Sequence, residues 1–152
     1  MGSRYAGTAQ EVQALNAFIN LIRASESLTS RLATPLAQSG LTTSQFGVLE
    51  SLYHLGPMCQ GDIAQKILKS TGNITMVVDN LEKRSLVERR REGDDRRFVT
   101  VRLTRQGEAL IGSILPQHIE RVMQAMSALT PAEQEQLRAL SRKLGRAVAA
   151  AP

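Results

Sequence analysis

Apolar residues return every three or four positions along most of this chain, and the period changes in one stretch only. Val12, Leu15, Ile19 and Ile22 set a first helical stripe, which Leu28 and Leu32 carry on toward Pro35. Thr42 or Thr43 can cap a second helix bearing Phe46, Leu49, Leu52 and Tyr53, ended by Gly56-Pro57. A short helix from about Gln60 to Leu68 puts Ile63, Ala64, Ile67 and Leu68 on one face. Ser70 or Thr71 starts a fourth, where Ile74, Val77, Val78 and Leu81 form an i, i+3, i+4, i+7 stripe.

The period then shortens to two. Val99, Val101 and Leu103 alternate with Phe98, Thr100 and Arg102, which predicts a strand. Gly93-Asp94-Asp95 reads as the turn before it, with Val87 to Arg91 as the partner strand. After Thr104, a candidate cap, the helical period returns with Leu110, Ile111, Ile114, Leu115, Ile119, Val122, Met123 and Met126. Pro116 lies inside that stretch and predicts a kink or a break. Thr130-Pro131-Ala132-Glu133 has the cap, the first-position proline and the reaching glutamate of a helix start. Leu137, Leu140, Leu144 and Val148 make the last stripe.

The expected fold is therefore mainly α: a winged helix-turn-helix at 43–103, a dimerisation helix at 1–42, and dimerisation helices at 104–152, intertwined as one domain. The first and last stripes lie outside the compact winged unit, and exposed stripes of that length are an aggregation liability in a monomer. Twofold pairing buries them, so a homodimer is expected. It also sets two recognition helices about one helical turn apart over a palindrome.

Charge sharpens this picture more than overall composition does. The chain has 152 residues, 42% hydrophobic and 3% aromatic, so its core is built from aliphatic side chains. Between Lys83 and Arg105 stand nine basic residues against Glu88, Glu92, Asp94 and Asp95, an excess equal to the net charge of +5 of the whole chain. A local positive excess on a neutral body suits a polyanion, whose phosphates supply most sequence-independent affinity. No apolar run approaches the roughly 20 residues that span a bilayer. No secretory signal pattern opens the chain, and the single cysteine fits a reducing compartment, so a cytoplasmic protein with no membrane partner is expected.

In the fourth helix Gly72, Met76 and Lys83 lie opposite the apolar stripe, with Asn73, Thr75, Asp79 and Asn80 at its margins. Ser70, Thr71, Gly72, Asn73 and Thr75 make the N-terminal half of that outer face small and polar. Such a surface can seat on base edges in a major groove, asparagine pairing with adenine and hydroxyls with phosphate. Lys69 and Arg89 are expected phosphate contacts, Arg91 is a further expected DNA-binding residue, and Met76 completes the reading face. At the hairpin tip, Asp95 can brace one of Arg96 and Arg97 and leave the other free for a narrow minor groove.

The stretch from Leu41 to Gly107 resembles the multiple-antibiotic-resistance regulator (MarR) family of bacterial transcription factors. Its most specific parts are Asp95-x-Arg97 leading to Leu103-Thr104, and Val78-Asp79-Asn80-Leu81-Glu82-Lys83-Arg84 at the end of the recognition helix. The resemblance covers roughly residues 10–148. It implies an obligate homodimer with DNA-binding lobes, Arg97 entering the minor groove and Asp95 orienting it. Two positions depart from the family pattern: Cys59 replaces the Thr or Ser that opens the third helix, and Ser85 replaces the glycine after the recognition helix.

The expected function is a homodimeric repressor on a pseudopalindromic double-stranded DNA operator, released by a small phenolic or aromatic effector. The effector crevice is expected among apolar residues of the first, second and fifth helices. One competing reading makes Cys59 a candidate redox switch, since thiol oxidation at the start of a helix would distort the motif. A plainer one makes it a small capping residue. A third class is an adaptor that binds protein through its stripes. Nothing in the chain suggests an enzyme: there is no nucleophile with a base, no phosphate loop, and His54 and His118 lack further metal ligands. No cofactor and no metal are expected.

Overall fold

Side chains fix where each helix begins. Thr8 and Glu11 form a reciprocal capping box ahead of α1 (Ala9–Gln38), and Thr42 and Gln45 form another ahead of α2 (Thr43–Leu55). Cys59 caps α3 (Gln60–Lys66), its sulfur accepting from the Asp62 amide, and Ser70 caps α4 (Thr71–Lys83) through the Asn73 amide. Gly56, at φ +79°, closes α2 in a conformation that suits glycine. The computed structural model describes residues 5–68, 70–91 and 99–149.

Three strands form one antiparallel sheet in the order β1-β3-β2. β2 (Val87–Arg91) and β3 (Val99–Leu103) are the predicted hairpin arms, in a register that pairs Glu88 with Arg102 and Arg89 with Val101. β1 (Met58–Cys59) was not anticipated, because two residues carry no legible alternation; it pairs Cys59 with Thr100. The turn at Gly93-Asp94-Asp95 and Phe98 lie outside the described residues. α5 (Arg105–Met126) and α6 (Pro131–Ala149) follow. Pro116 does not interrupt α5: one proline removes one backbone hydrogen bond, and the bonds on either side keep the turns helical. α1 likewise passes through Pro35.

The chain divides at Pro116 into two compact units. In the first, Leu36, Leu49, Ile63, Ile74, Val78, Leu81, Val101 and Ile111 are sealed in one core drawn from α1 to α5 and the sheet. Burial of each such side chain stabilises the fold by roughly 1.5–3 kcal/mol relative to exposure. The last turns of α1 thus belong to this core through Leu36, beyond the dimerising role expected of that helix. In the second unit α6 buries no residue at all.

The junction of α4, β2 and α5 is tight. Ser85 follows α4 at φ +56°, a left-handed conformation that costs a residue with a Cβ about 1–2 kcal/mol. Thr104 Oγ1 donates to the Ser85 carbonyl at 2.6 Å and accepts from the Gly107 amide at 3.0 Å, so one hydroxyl both ties α5 to this turn and caps it. A Cβ at Gly107 would lie 2.0 Å from the Leu86 carbonyl oxygen. Only glycine fits there.

Candidate nucleic-acid interface

The inner stripe of α4 is fully in the core, with Ile74, Val78 and Leu81 at 0% exposure. Everything opposite it is therefore presented outward. Met76 is 61% exposed, an added Cβ at Gly72 would meet nothing within 4 Å, and Thr71, Asn73 and Thr75 are exposed. Ser70 uses its oxygen to accept from Asn73, which leaves its proton for an external acceptor. The helix N-terminus adds partial positive charge at that end. Small groups, hydroxyls and an amide on a rigid helix make a surface that can approach base edges and phosphates.

The basic segment is less free than its count suggests. Arg89, expected on a phosphate, has its guanidinium bound by Asp79 at 2.6 Å and Glu82 at 2.5 Å, both on α4. Its Nε donates to Gln60 Oε1 at 3.0 Å, and its backbone amide donates to Glu82 at 3.0 Å. Burial works against the Arg89 charge, and the hydrogen bonds it donates to Asp79 and Glu82 outweigh that effect, so its pKa is raised. Register explains the inward turn: Arg89 sits opposite buried Val101, on the sheet face toward the core. Its charge pins β2 to α4, and two carboxylates already neutralise it.

Other cations are occupied as well. Arg84 Nη1 donates to the Gly40 carbonyl at 2.8 Å, tying the end of α4 to the α1–α2 turn. Arg102 and Arg90 share Glu88, at 2.7 and 3.2 Å. The hydrogen bond from Arg102 holds the Glu88 carboxyl below the usual carboxylate range. Lys83, Arg91 and Arg105 have no ion-pair partner among the described residues, and all three are exposed. Lys69, Asp95, Arg96 and Arg97 lie outside the described residues.

Gln60 is a site residue that the sequence reading missed. Its amide joins Arg89 of β2 to Thr75 of α4, donating from Nε2 to Thr75 Oγ1 at 3.0 Å. Only the spacing of α3 against α4 brings the two together, and no motif announces it. Cys59 is half-buried, accepts from the Asp62 amide at 3.4 Å and sits in β1 against β3. Capping is thus a role the thiol already fills. Among the described residues no cluster of His, Cys, Asp and Glu could hold a metal ion, and no helix is long and apolar enough to cross a membrane.

A cleft of about 580 Å³ opens beside the base of the hairpin, lined by Leu52, Tyr53, Glu88, Arg102, Arg105 and Glu108 among others. It draws on α2, β2, β3 and the start of α5. No residue of α1 lines it, unlike the crevice expected from sequence.

Known proteins share this arrangement. The family model described as "MarR family" matches residues 41–99, from the end of the α1–α2 turn to the first residue of β3. The HTH-type transcriptional regulator YkoM of Bacillus subtilis is 34% identical over 143 residues, 93% of each chain. The HTH-type transcriptional regulator MhqR of the same organism is 34% identical over 133 residues, 88% of this chain and 92% of that one. Among solved structures, that of Bordetella bronchiseptica BpsR, whose DNA binding is regulated by 6-hydroxynicotinic acid, superposes with a TM-score of 0.77 at 27% identity. It covers 85% of this chain and 98% of BpsR. These relatives are regulators and not enzymes. With a sealed helix-turn-helix core, a recognition helix of open polar face and a hairpin wing, the chain belongs to the MarR family of DNA-binding transcriptional regulators.

Proposed function

We propose that this regulator is a homodimeric repressor that occupies a pseudopalindromic operator and is released by a small phenolic or aromatic ligand. The observation that carries the reading is the outer face of α4: Ser70, Thr71, Gly72, Asn73, Thr75 and Met76 stand exposed on a helix whose other side is locked in the core. Repression needs only that such a face occupy a promoter. In this reading Arg97 enters the minor groove with Asp95 as its brace, Arg96, Arg91 and Lys69 contact phosphate, and Arg89 acts indirectly by holding the wing against α4.

Dimerisation is supported by apolar surface left open in the single chain. Phe18 and Ile22 of α1, and Leu140, Leu144 and Val148 of α6, are exposed. Ligand release is supported by the chemistry reported for BpsR, a ring bearing hydroxyl and carboxyl groups. The cleft beside the wing is of a size that takes a small molecule, within the range of roughly 300–1,000 Å³. A ligand that binds better to the wrong spacing of the two recognition helices shifts the population off DNA.

Selection of bound sequences from random duplex DNA tests the proposal. The expected product is a pseudopalindrome with half-site centres about one helical turn apart. Salt-independent binding, or no enriched sequence, would favour an adaptor role. Cys59→Ser separates the two release routes, because serine keeps a capping oxygen without thiol chemistry. Equal release of wild type and variant by a phenolic ligand, with both indifferent to peroxide, is the expected result. Loss of peroxide response in the variant alone would make Cys59 the switch.

A further inference from the structure

The spacing of α3 puts Leu68 on one apolar face with Ile63, Ala64 and Ile67, yet α3 ends at Lys66 and the last two residues fare differently. Ile67 packs against the core, whereas Leu68 is 88% exposed, the most open of the large apolar side chains among the described residues. Its backbone is left-handed as well, at φ +55°. That conformation crowds a Cβ against the following carbonyl, and the chain places glycine at two other left-handed positions, Gly40 and Gly56. At Ser85, the remaining one, the carbonyl accepts from Thr104 and ties α5 to the turn. Leu68 makes only a long 3.4 Å bond from its amide to the Gln65 carbonyl, which a glycine would make equally well. A leucine held in a conformation that suits glycine, with its side chain in water, adds nothing to the fold. Such outliers gather where a residue serves function.

We propose that Leu68 is a specificity-determining DNA contact, packing its side chain on the 5-methyl group of a thymine in each half-site. The inference rests on the DNA-reading role of α4 proposed above. Leu68 stands two residues ahead of Ser70, the cap of α4, so their Cα atoms are at most about 7 Å apart. A recognition helix meets base edges through its N-terminal residues. A side chain just ahead of that end, and clear of the core, meets the same groove. The exposed Ser70, Thr71, Asn73 and Thr75 offer hydroxyls and an amide to the polar groups of base edges. The thymine methyl is the apolar group on those edges, and an apolar side chain is what it favours. Met76, also exposed, lies about 9 Å farther along α4 from Ser70 and reaches a different base pair.

The test uses the whole protein and the operator that wild type selects, with each thymine replaced in turn by deoxyuridine, which lacks only the methyl. Wild type is expected to bind about fourfold more weakly at one thymine in each half-site, the worth of one buried methyl. Leu68→Gly and Leu68→Asn both tolerate the left-handed backbone. Both are expected to bring that ratio to about one and to leave uracil penalties at other thymines unchanged. Leu68→Met keeps an apolar side chain of similar size and is expected to keep most of the penalty. The melting temperature of Leu68→Gly is expected to hold or rise, since the leucine serves DNA contact and not the fold.

Uracil penalties in Leu68→Gly and Leu68→Asn that match wild type at every thymine overturn the proposal. So does a loss of affinity spread evenly over all sequences, which would place the leucine against sugar and phosphate. A marked fall in melting temperature overturns it too, by making the leucine part of the fold. If Leu68→Gly loses the penalty while Leu68→Asn keeps it, backbone flexibility is the cause and the proposal fails. A selected operator with no uracil-sensitive thymine refutes this inference only. A wild type that selects no sequence refutes the DNA reading beneath it.

Discussion

α4 and α6 carry apolar stripes of closely similar spacing, and the two meet opposite fates. Ile74, Val78 and Leu81 of α4 are at 0% exposure, while Leu140, Leu144 and Val148 of α6 are 65%, 49% and 66% exposed. The first stripe finds its cover within its own lobe, in α2, α3 and β2. The second is covered only in part among the described residues. Periodicity identifies which face of a helix is apolar; whether the same chain covers that face depends on the tertiary contacts it meets. A stripe sealed in its own lobe makes α4 a rigid platform for its polar side. An open stripe is what the proposed homodimer would cover.

The largest effect is expected where the sealed lobe is tightest. Gly107→Ala forces a Cβ against the Leu86 carbonyl, and overpacking against backbone should cost about 3 kcal/mol. Chemical denaturation measures it; a change under 1 kcal/mol would show that the α4–α5 junction yields. Next comes the open stripe. Leu140→Glu with Leu144→Glu should weaken self-association by about a hundredfold, since buried anchors dominate an interface, yet leave the melting of the first unit intact. Sedimentation of a stable dimer by the double variant would place the interface elsewhere.

Smaller effects sharpen the contrast between occupied and free cations. Arg97→Ala should weaken operator binding by about 2 kcal/mol, with Asp95→Ala mimicking it in part. Arg89→Met should lower the melting temperature by leaving Asp79 and Glu82 without their shared partner, and change the salt slope less than Arg91→Ala does. An Arg89 variant with the larger change in slope would return it to the phosphate contacts. The smallest change is a gain: Ser85→Gly should stabilise by about 1 kcal/mol by relieving the left-handed conformation, read as a higher melting temperature.

The sequence made most of the helical order legible because caps and stripes are local. Thr42, Ser70, Thr104 and Thr130 sit where hydroxyls satisfy free amides, and the α4 stripe stands at helical spacing. β1 was hidden because its identity comes from pairing with β3 and not from its own two residues. The continuity of α5 was hidden because a proline's local cost is outweighed by the helix around it. The site was legible as a face and illegible as a network. Counting charge placed Arg89 outside, whereas its register opposite Val101 turns it toward two acids on α4. Gln60 carries no charge and belongs to no motif, so only three-dimensional proximity reveals its part.

Whether the outer face of α4 reads bases decides the proposed function most directly. Asn73→Ala and wild-type protein should be compared on the selected operator and on each of its single-base variants, at one fixed salt concentration. The expected result is loss of discrimination at one base pair in each half-site, worth about 1–3 kcal/mol, with the profile elsewhere preserved. Matching profiles at every base would remove Asn73 from the reading face and contradict the account.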